Sequence, residues 1–335
     1  MKKRIFAYLY DPLFDDPIIY DFTKIDVVNY SFGKIEDGKV TIKHLKNLDR
    51  VFSVKHDELK IVLSIGGWGA DGFSEGVKTR ENRTILIDSI LDLINQYHFD
   101  GVDLDWEYPT SSVGGITSSP DDKENFTFFL SELRKAMDEV NPELILTIAV
   151  GAGGKIPNYI EVEKLSSIID YLHIMTYDMM NLEKNFTDHH TNLYGSVYKC
   201  DISANLAVNT YHQLGMPIEK IVIGAAFYGH YATTAPSETN GIGLPCLTPL
   251  TQAMSYTEIK TKYLNNPNFK HYFDEEAKAS WLFDGTTFIS YDDETSIFFK
   301  CLYIKSRNLA GIMFWQLTGD KTGTLLDTIY TNLKA

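Results

Sequence analysis

Cysteine is scarce: the 335 residues hold three, Cys200, Cys246 and Cys301. An odd number without the short paired spacing of a metal site argues against both a disulfide framework and a zinc site. Basic residues are outnumbered, 31 Lys and Arg against 45 Asp and Glu, which leaves a formal charge of −14. A surface of that sign repels nucleic acid and anionic membranes, so neither is expected as a partner, and a neutral ligand fits better. Long apolar runs are missing too, since no segment approaches the roughly 20 residues of a membrane span. The opening Met1-Lys2-Lys3-Arg4 is basic, but the apolar run after it is too short for a signal peptide, and Arg4 to Leu9 reads as a first strand. A cytoplasmic location is expected, or a secreted one if a signal has been removed. The remaining composition, 44% hydrophobic and 23% charged, is ordinary for a globular protein.

Against this background one stretch stands out. Phe99-Asp100-Gly101-Val102-Asp103-Leu104-Asp105-Trp106-Glu107-Tyr108-Pro109 places four acids in a segment whose other positions read as a buried strand. A buried carboxylate without a partner costs several kcal/mol or takes up a proton, so the segment points to acid/base chemistry. Alternate strand residues share a face about 6.7 Å apart, which makes Asp103, Asp105 and Glu107 a single file. Asp100 has the wrong parity and is expected to be structural; Trp106 faces away from the acids and is expected under the surrounding helices. Two like charges at that spacing repel by about 2.5 kcal/mol at an effective dielectric of about 20. That is about two pKa units, so one of the three should hold a proton near neutral pH. Glu107, with the longest side chain and nearest the strand end, is the candidate general acid.

Short β-rich runs alternate with helical patterns along the chain. The candidate strands are Arg4 to Leu9, Val27 to Phe32, Lys60 to Ile65, Gly101 to Trp106, Leu144 to Ala149, Tyr171 to Tyr177, Ile221 to Phe227 and Gly311 to Trp315. Helical patterns are clearest at Arg83 to Tyr97, Lys123 to Val140, Ile202 to Leu214, Glu294 to Ser306 and Gly323 to Leu333. Eight such units predict an α/β fold, the (β/α)8 TIM barrel, whose active sites lie where strands run out into their following loops. About sixty residues separate the seventh strand from the helix starting near Asp293, too many for a simple loop. Within them Ser255 to Glu258 opens a short helix, and Phe269 to Phe273, Ala279 to Phe283 and Thr287 to Tyr291 are strand-like. The expected domains are a barrel of residues 1–230 and 291–335 with a small α+β insertion of residues 231–290, a wall that would turn an open bowl into a cleft.

These residues resemble a known family. Asp100-Gly-Val-Asp103-Leu-Asp105-Trp-Glu107 matches the DxxDxDxE signature of family 18 glycoside hydrolases, the chitinases and their relatives. Ser64-Ile65-Gly66-Gly67-Trp68 resembles the family's SxGG element, and Met175-Thr176-Tyr177-Asp178 its MxYD element. Phe227-Tyr228-Gly229, Trp315, Tyr8 and Phe32 also fall where the family has aromatic residues, and the insertion resembles the chitinase insertion domain. The likeness covers essentially the whole barrel.

The resemblance implies a retaining mechanism in which the substrate's own 2-acetamido oxygen is the nucleophile. It implies that Glu107 protonates the glycosidic oxygen and later activates water. Asp105 would polarise the acetamido N–H, Asp103 would exchange a hydrogen bond or proton with Asp105, Tyr177 would hold the acetamido group, and Asp178 would bind the distorted sugar and tune Glu107. Trp315 would floor the pocket and Trp68 extend it on the leaving-group side. Tyr8, Phe32, Gly67, Tyr108, Met175 and Tyr228 are the further substrate-binding candidates, although Gly66 and Gly67 also suit a backbone need at a strand end. The implied activity is that of an endo-acting chitinase on chitin or N-acetylglucosamine oligosaccharides, acting as a monomer without cofactor or metal. Alternatives are an endo-β-N-acetylglucosaminidase on N-glycans or peptidoglycan-like substrates and a non-catalytic chitin-binding lectin; a barrel whose acids bind a metal is a further one.

Other positions carry weaker signals. Asp188-His189-His190 lacks the i, i+4 spacing of a helical metal site. Trp281 is either insertion core or a distal sugar platform. Asn82, Asn125 and Asn185 open N-x-T triplets that are expected to be unused without a secretory signal. His230 stands where many family members have Arg, exchanging a permanent forked charge for a group that titrates near neutrality.

Overall fold

Eight parallel strands close into a barrel in the computed structural model, which describes residues 2–15, 17–180, 185–198 and 201–334. The strands in chain order are β1 (Arg4–Tyr10), β2 (Val27–Glu36), β3 (Lys39–Thr41), β4 (Lys60–Gly66), β5 (Gly101–Asp105), β6 (Ile145–Gly151), β7 (Tyr171–Met175), β8 (Ile221–Ala226), β9 (Tyr228–Thr233), β10 (Gln252–Ser255), β11 (Lys270–Asp274), β12 (Ala279–Phe283), β13 (Thr287–Tyr291) and β14 (Gly311–Trp315). The barrel runs β1-β14-β8-β7-β6-β5-β4-β2, and β1 pairs with β2 to close it. Every expected barrel strand is present, so the (β/α)8 architecture stands.

Alternation along each strand divides the apolar residues between two cores. Ile5, Ala7 and Leu9 of β1, and Val102 and Leu104 of β5, face outward into the large layer beneath the helices. Phe6, Tyr8, Val62, Val222 and Met313 point into the barrel instead. By the same parity Asp103 and Asp105 point inward. Trp106 is buried under the helices as expected, stacked on Phe73 at 5.2 Å and edge-on to Phe126 at 5.3 Å. Asp100 is structural: its carboxylate accepts the Ile61 N–H at 2.8 Å and pairs with Lys55 at 2.7 Å, tying the start of β5 to β4.

Side-chain caps set several of the helix starts. The helix Arg80–Tyr97 starts three residues before the expected Arg83, capped by Thr79, whose hydroxyl accepts the Asn82 N–H. Asp293 and Ser296 cap each other at the head of the helix Glu294–Arg307. Several strand ends differ from expectation, most by one or two residues. β5 stops at Asp105 and β7 at Met175, because past Asp105 and Met175 no ladder partner remains. β2 runs on to Glu36 and turns through Asp37-Gly38, both left-handed at φ 51° and 74°, into the hairpin strand β3.

The insertion is a five-stranded antiparallel sheet ordered β10-β9-β13-β12-β11. It reaches from Tyr228 to Tyr291, and so takes in residues on both sides of the expected 231–290 span. β9 was missed because only Phe227 separates it from β8. Trp281 belongs to the insertion's core: it is buried, stacks on Tyr272 at 5.3 Å and donates its indole N–H to Asn240 at 2.7 Å. Cys246 and Cys301 are buried thiols, while Cys200 lies outside the described residues. Among the described residues no helix is long and apolar enough to cross a membrane.

Just past the insertion, a buried ion pair ties the start of the next helical segment to the barrel. Lys300 and Asp292, both fully buried, meet at 2.6 Å, and Asp292 also accepts the Ala226 N–H at 2.9 Å. Lys300→Met would leave a buried carboxylate without its counter-charge, which is expected to lower unfolding stability by about 3–5 kcal/mol. Urea denaturation checks this; a loss under about 1 kcal/mol would mean that the Thr191 and Ser296 hydroxyls and the Ala226 N–H, which also donate to Asp292, suffice.

Candidate active site

The site starts inside the barrel. Asp103, fully buried on β5, accepts hydrogen bonds from three strands: Tyr8 at 2.9 Å, Ser64 at 2.7 Å and Thr147 at 2.5 Å. His173 lies 3.7 Å from the same carboxylate, and burial pushes its imidazole down to about 4, so it is neutral at pH 7. One step up the strand, Asp105 faces the cavity at the barrel mouth. Its Oδ1 is buried and has no hydrogen-bond partner among the described residues. Burial, followed by the charges of Glu107 and Asp103, holds its carboxyl well above the usual range. The direction is the one expected for the acid file, but burial rather than like-charge repulsion is its leading cause.

Glu107 sits beyond the end of β5, so the three acids are not a file on one strand. The inward pair Asp103 and Asp105 is followed by a loop residue that turns back over the mouth. The glutamate is half-buried, and burial raises its carboxyl to about 7, with a hydrogen bond to Tyr108 opposing and the Asp178 charge assisting. The loop beneath is shaped by glycine. At Gly66, with φ 116°, an added Cβ would lie 2.2 Å from the Asp105 carbonyl oxygen, and the Gly67 N–H bonds that oxygen at 2.8 Å.

Above the acids lies a cavity of about 470 Å³. Of the residues expected at the site, Tyr8, Phe32, Trp68, Asp105, Glu107, Met175, Tyr177, Asp178, Tyr228 and Trp315 line it. Trp315, at the end of β14, stacks on Phe32 at 5.5 Å and an interplanar angle of 17°. Phe32 itself sits where the β2–β4 register shifts between Ser31 and Gly33, a bulge that aims the ring into the mouth. Trp68 is 64% exposed, a flat apolar surface at the rim. The Ser31–Phe32, Glu107–Tyr108 and Trp315–Gln316 peptides are cis.

Asp103, Gly67 and Tyr108 are not among the residues that line the cavity. A Cβ on Gly67 would fall 2.8 Å from the Phe32 ring, so this glycine makes room for the aromatic floor. Tyr108 acts through its hydrogen bond to Glu107. The sequence reading missed Leu13, Gln316 and the β10 residues Ala253, Met254 and Ser255, which form part of the cavity wall. A four-residue strand leaves almost no periodic signal.

A polar cluster forms the side wall. Asp178 accepts from Tyr228 at 2.6 Å and lies 2.7 Å from His230 Nε2 and 3.8 Å from His190 Nδ1. The depth of the site alone would raise the Asp178 carboxyl, but the neighbouring His190 and His230 imidazoles outweigh this and hold it below the usual carboxylate range. The adjacent histidines diverge: His189 turns to Asp274 of the insertion at 3.1 Å, while His190 turns to the cavity wall. Among the described residues Asp178, His190 and His230 are the group whose ligand atoms, all within 4.8 Å of one another, could hold a metal ion.

A (β/α)8 barrel with a raised glutamate and a buried aspartate at one strand end, beneath an aromatic floor, is the architecture of a glycoside hydrolase. Residues 5–320 match the family described as Glycosyl hydrolases family 18, and the chain belongs to it. It is 32% identical over 316 residues to Chitinase A1 of Niallia circulans, covering 86% of this chain and 44% of that protein. It is 31% identical over 335 residues to Chitotriosidase-1 of Mus musculus, covering 95% and 69%. Among solved structures, a glycoside hydrolase family 18 N-acetylglucosaminidase from Paenibacillus barengoltzii superimposes with a TM-score of 0.94 at 38% identity, covering 99% of this chain and 100% of that one.

Proposed function

We propose that the chain hydrolyses β-1,4 bonds between N-acetylglucosamine units with net retention, using the substrate's 2-acetamido oxygen as nucleophile. The observation that carries this reading is the buried, unpartnered Oδ1 of Asp105 facing the cavity close to Glu107. An acceptor so placed suits an N–H donor on the substrate, because leaving it unpaired has a desolvation cost. Glu107 gives its proton to the glycosidic oxygen as the C1–O bond breaks, and the acetamido oxygen closes on C1. Asp105 accepts the acetamido N–H and offsets the charge of the oxazolinium ring; Asp103 exchanges a proton with Asp105 from below. The Tyr177 hydroxyl, aimed at the Met313 sulfur at 3.6 Å, faces only a weak acceptor and is free to donate to the acetamido oxygen. Water activated by Glu107 then reopens the ring at C1, restoring the original configuration.

Cleavage within short linear chains is the preferred action, supported by the Trp68 rim, the Trp315–Phe32 floor and the β10 wall. Release of single N-acetylglucosamine units is a second reading. It is favoured by the cavity volume, about 470 Å³, and by the likeness to a protein described as an N-acetylglucosaminidase. Early products from a chitin hexamer separate the two: dimer to tetramer for internal cleavage, monomer with pentamer for end release. Absence of any product would favour a sugar-binding lectin.

The acid step also fixes a pH dependence. Glu107 must be protonated to act as acid, and its carboxyl is held at about 7. The proton is therefore present below that pH and lost above it, so kcat/KM is expected to fall about tenfold per pH unit on the alkaline side. A profile level up to pH 9 would assign the acid to another group.

A further inference from the structure

We propose that Asp178, His190 and His230 form a binding site for one divalent ion of the borderline-soft class, Zn²⁺ or Cu²⁺, in the side wall of the cavity. Two imidazoles and one carboxylate are a donor set that favours these ions over Mg²⁺ or Ca²⁺, which prefer oxygen. Zinc bonds of about 2.0–2.2 Å in tetrahedral geometry put donor atoms about 3.4 Å apart. Asp178 Oδ1 lies 2.7 Å from His230 Nε2 and 3.8 Å from His190 Nδ1, and the three atoms lie within 4.8 Å. Shifts of about an ångström, within the reach of side-chain rotation, bring them to that spacing.

The surroundings favour the same conclusion. His190 is fully buried, and its ring is wedged between those of Tyr228 at 5.3 Å and His230 at 5.0 Å, so the donor is preoriented. Its Nδ1 accepts only a long contact of 3.5 Å from the Asp178 N–H, so little is lost when that lone pair turns to an ion. On binding, the His230 proton moves from Nε2 to Nδ1, which has no partner among the described residues, so no hydrogen bond at that nitrogen is broken. Asp178 and His230 line the cavity, which gives the ion an entry path and a fourth position for water or a substrate oxygen. The site needs both histidines at positions far apart in sequence.

An ion there would pin Asp178 and set a positive charge beside the acid, so bound Zn²⁺ is expected to inhibit; that consequence rests on the proposed hydrolysis, whereas the binding itself does not. Chelator-stripped protein titrated with ZnSO₄ in a calorimeter is expected to bind one ion per chain. Loss of one of the three donors should weaken binding by roughly 10–100-fold or more, so His230→Arg and His190→Asn are each expected to do so. Cu²⁺ bound to the unsubstituted protein should show electron-paramagnetic splitting from two imidazole nitrogens, a readout that needs no variant to fold. Absence of one-to-one binding, equal affinity in both folded variants, or a copper spectrum without two nitrogens would each overturn the site.

Discussion

Replacing Glu107 by Gln is expected to lower kcat on N-acetylglucosamine oligomers by roughly 10²–10⁴-fold, the usual contribution of a positioned general acid. The amide keeps the shape of the side chain and its reach to Tyr108 but has no proton to give. Because the aromatic floor and Asp105 are untouched, KM should change little and the loss should fall on kcat. The burial that holds this carboxyl at about 7 marks it off from a surface glutamate. Near-native turnover in the variant would mean that the proton comes from elsewhere.

The second large effect belongs to Asp105→Asn. Its carboxylate opposes positive charge that develops only as the acetamido group closes on C1, and the loss of a comparable preorganised group costs roughly 10²–10³-fold in kcat. Stability should move the other way. The folded-state carboxyl is held well above its usual range, chiefly by burial. Above the unfolded-state value the ionised form therefore disfavours the fold, and the neutral amide removes that penalty. A thermal midpoint at pH 7 that is unchanged or higher, together with the kinetic loss, is expected. A fall in both would indicate damaged packing instead.

Much of the barrel was legible because period-two alternation records which face of a strand is buried. β5 shows Val102 and Leu104 going to one side and Asp103 and Asp105 to the other in the sequence itself. What the sequence could not show is where a ladder runs out. Glu107 was placed on the strand face because the alternation continues through it, whereas the β4–β5 pairing ends at Gly66 and Asp105. The three hydroxyls on Asp103 come from β1, β4 and β6, a convergence set only by barrel closure. For the same reason the Asp178–His190–His230 cluster was invisible: the adjacent pair His189-His190 looked like a unit, and folding sends the two rings to different partners. The β3 hairpin is different. Its Asp37-Gly38 turn was a readable signal that the strand assignment passed over.

Substrate assistance is tested most directly by following a chitin oligomer and its fully deacetylated counterpart by proton NMR as the enzyme acts. The expected result is fresh product in the β-anomeric form, drifting to the equilibrium mixture only by mutarotation, and no cleavage of the deacetylated oligomer. Initial α-anomer, or efficient hydrolysis of a substrate without acetyl groups, would contradict a nucleophile carried by the sugar.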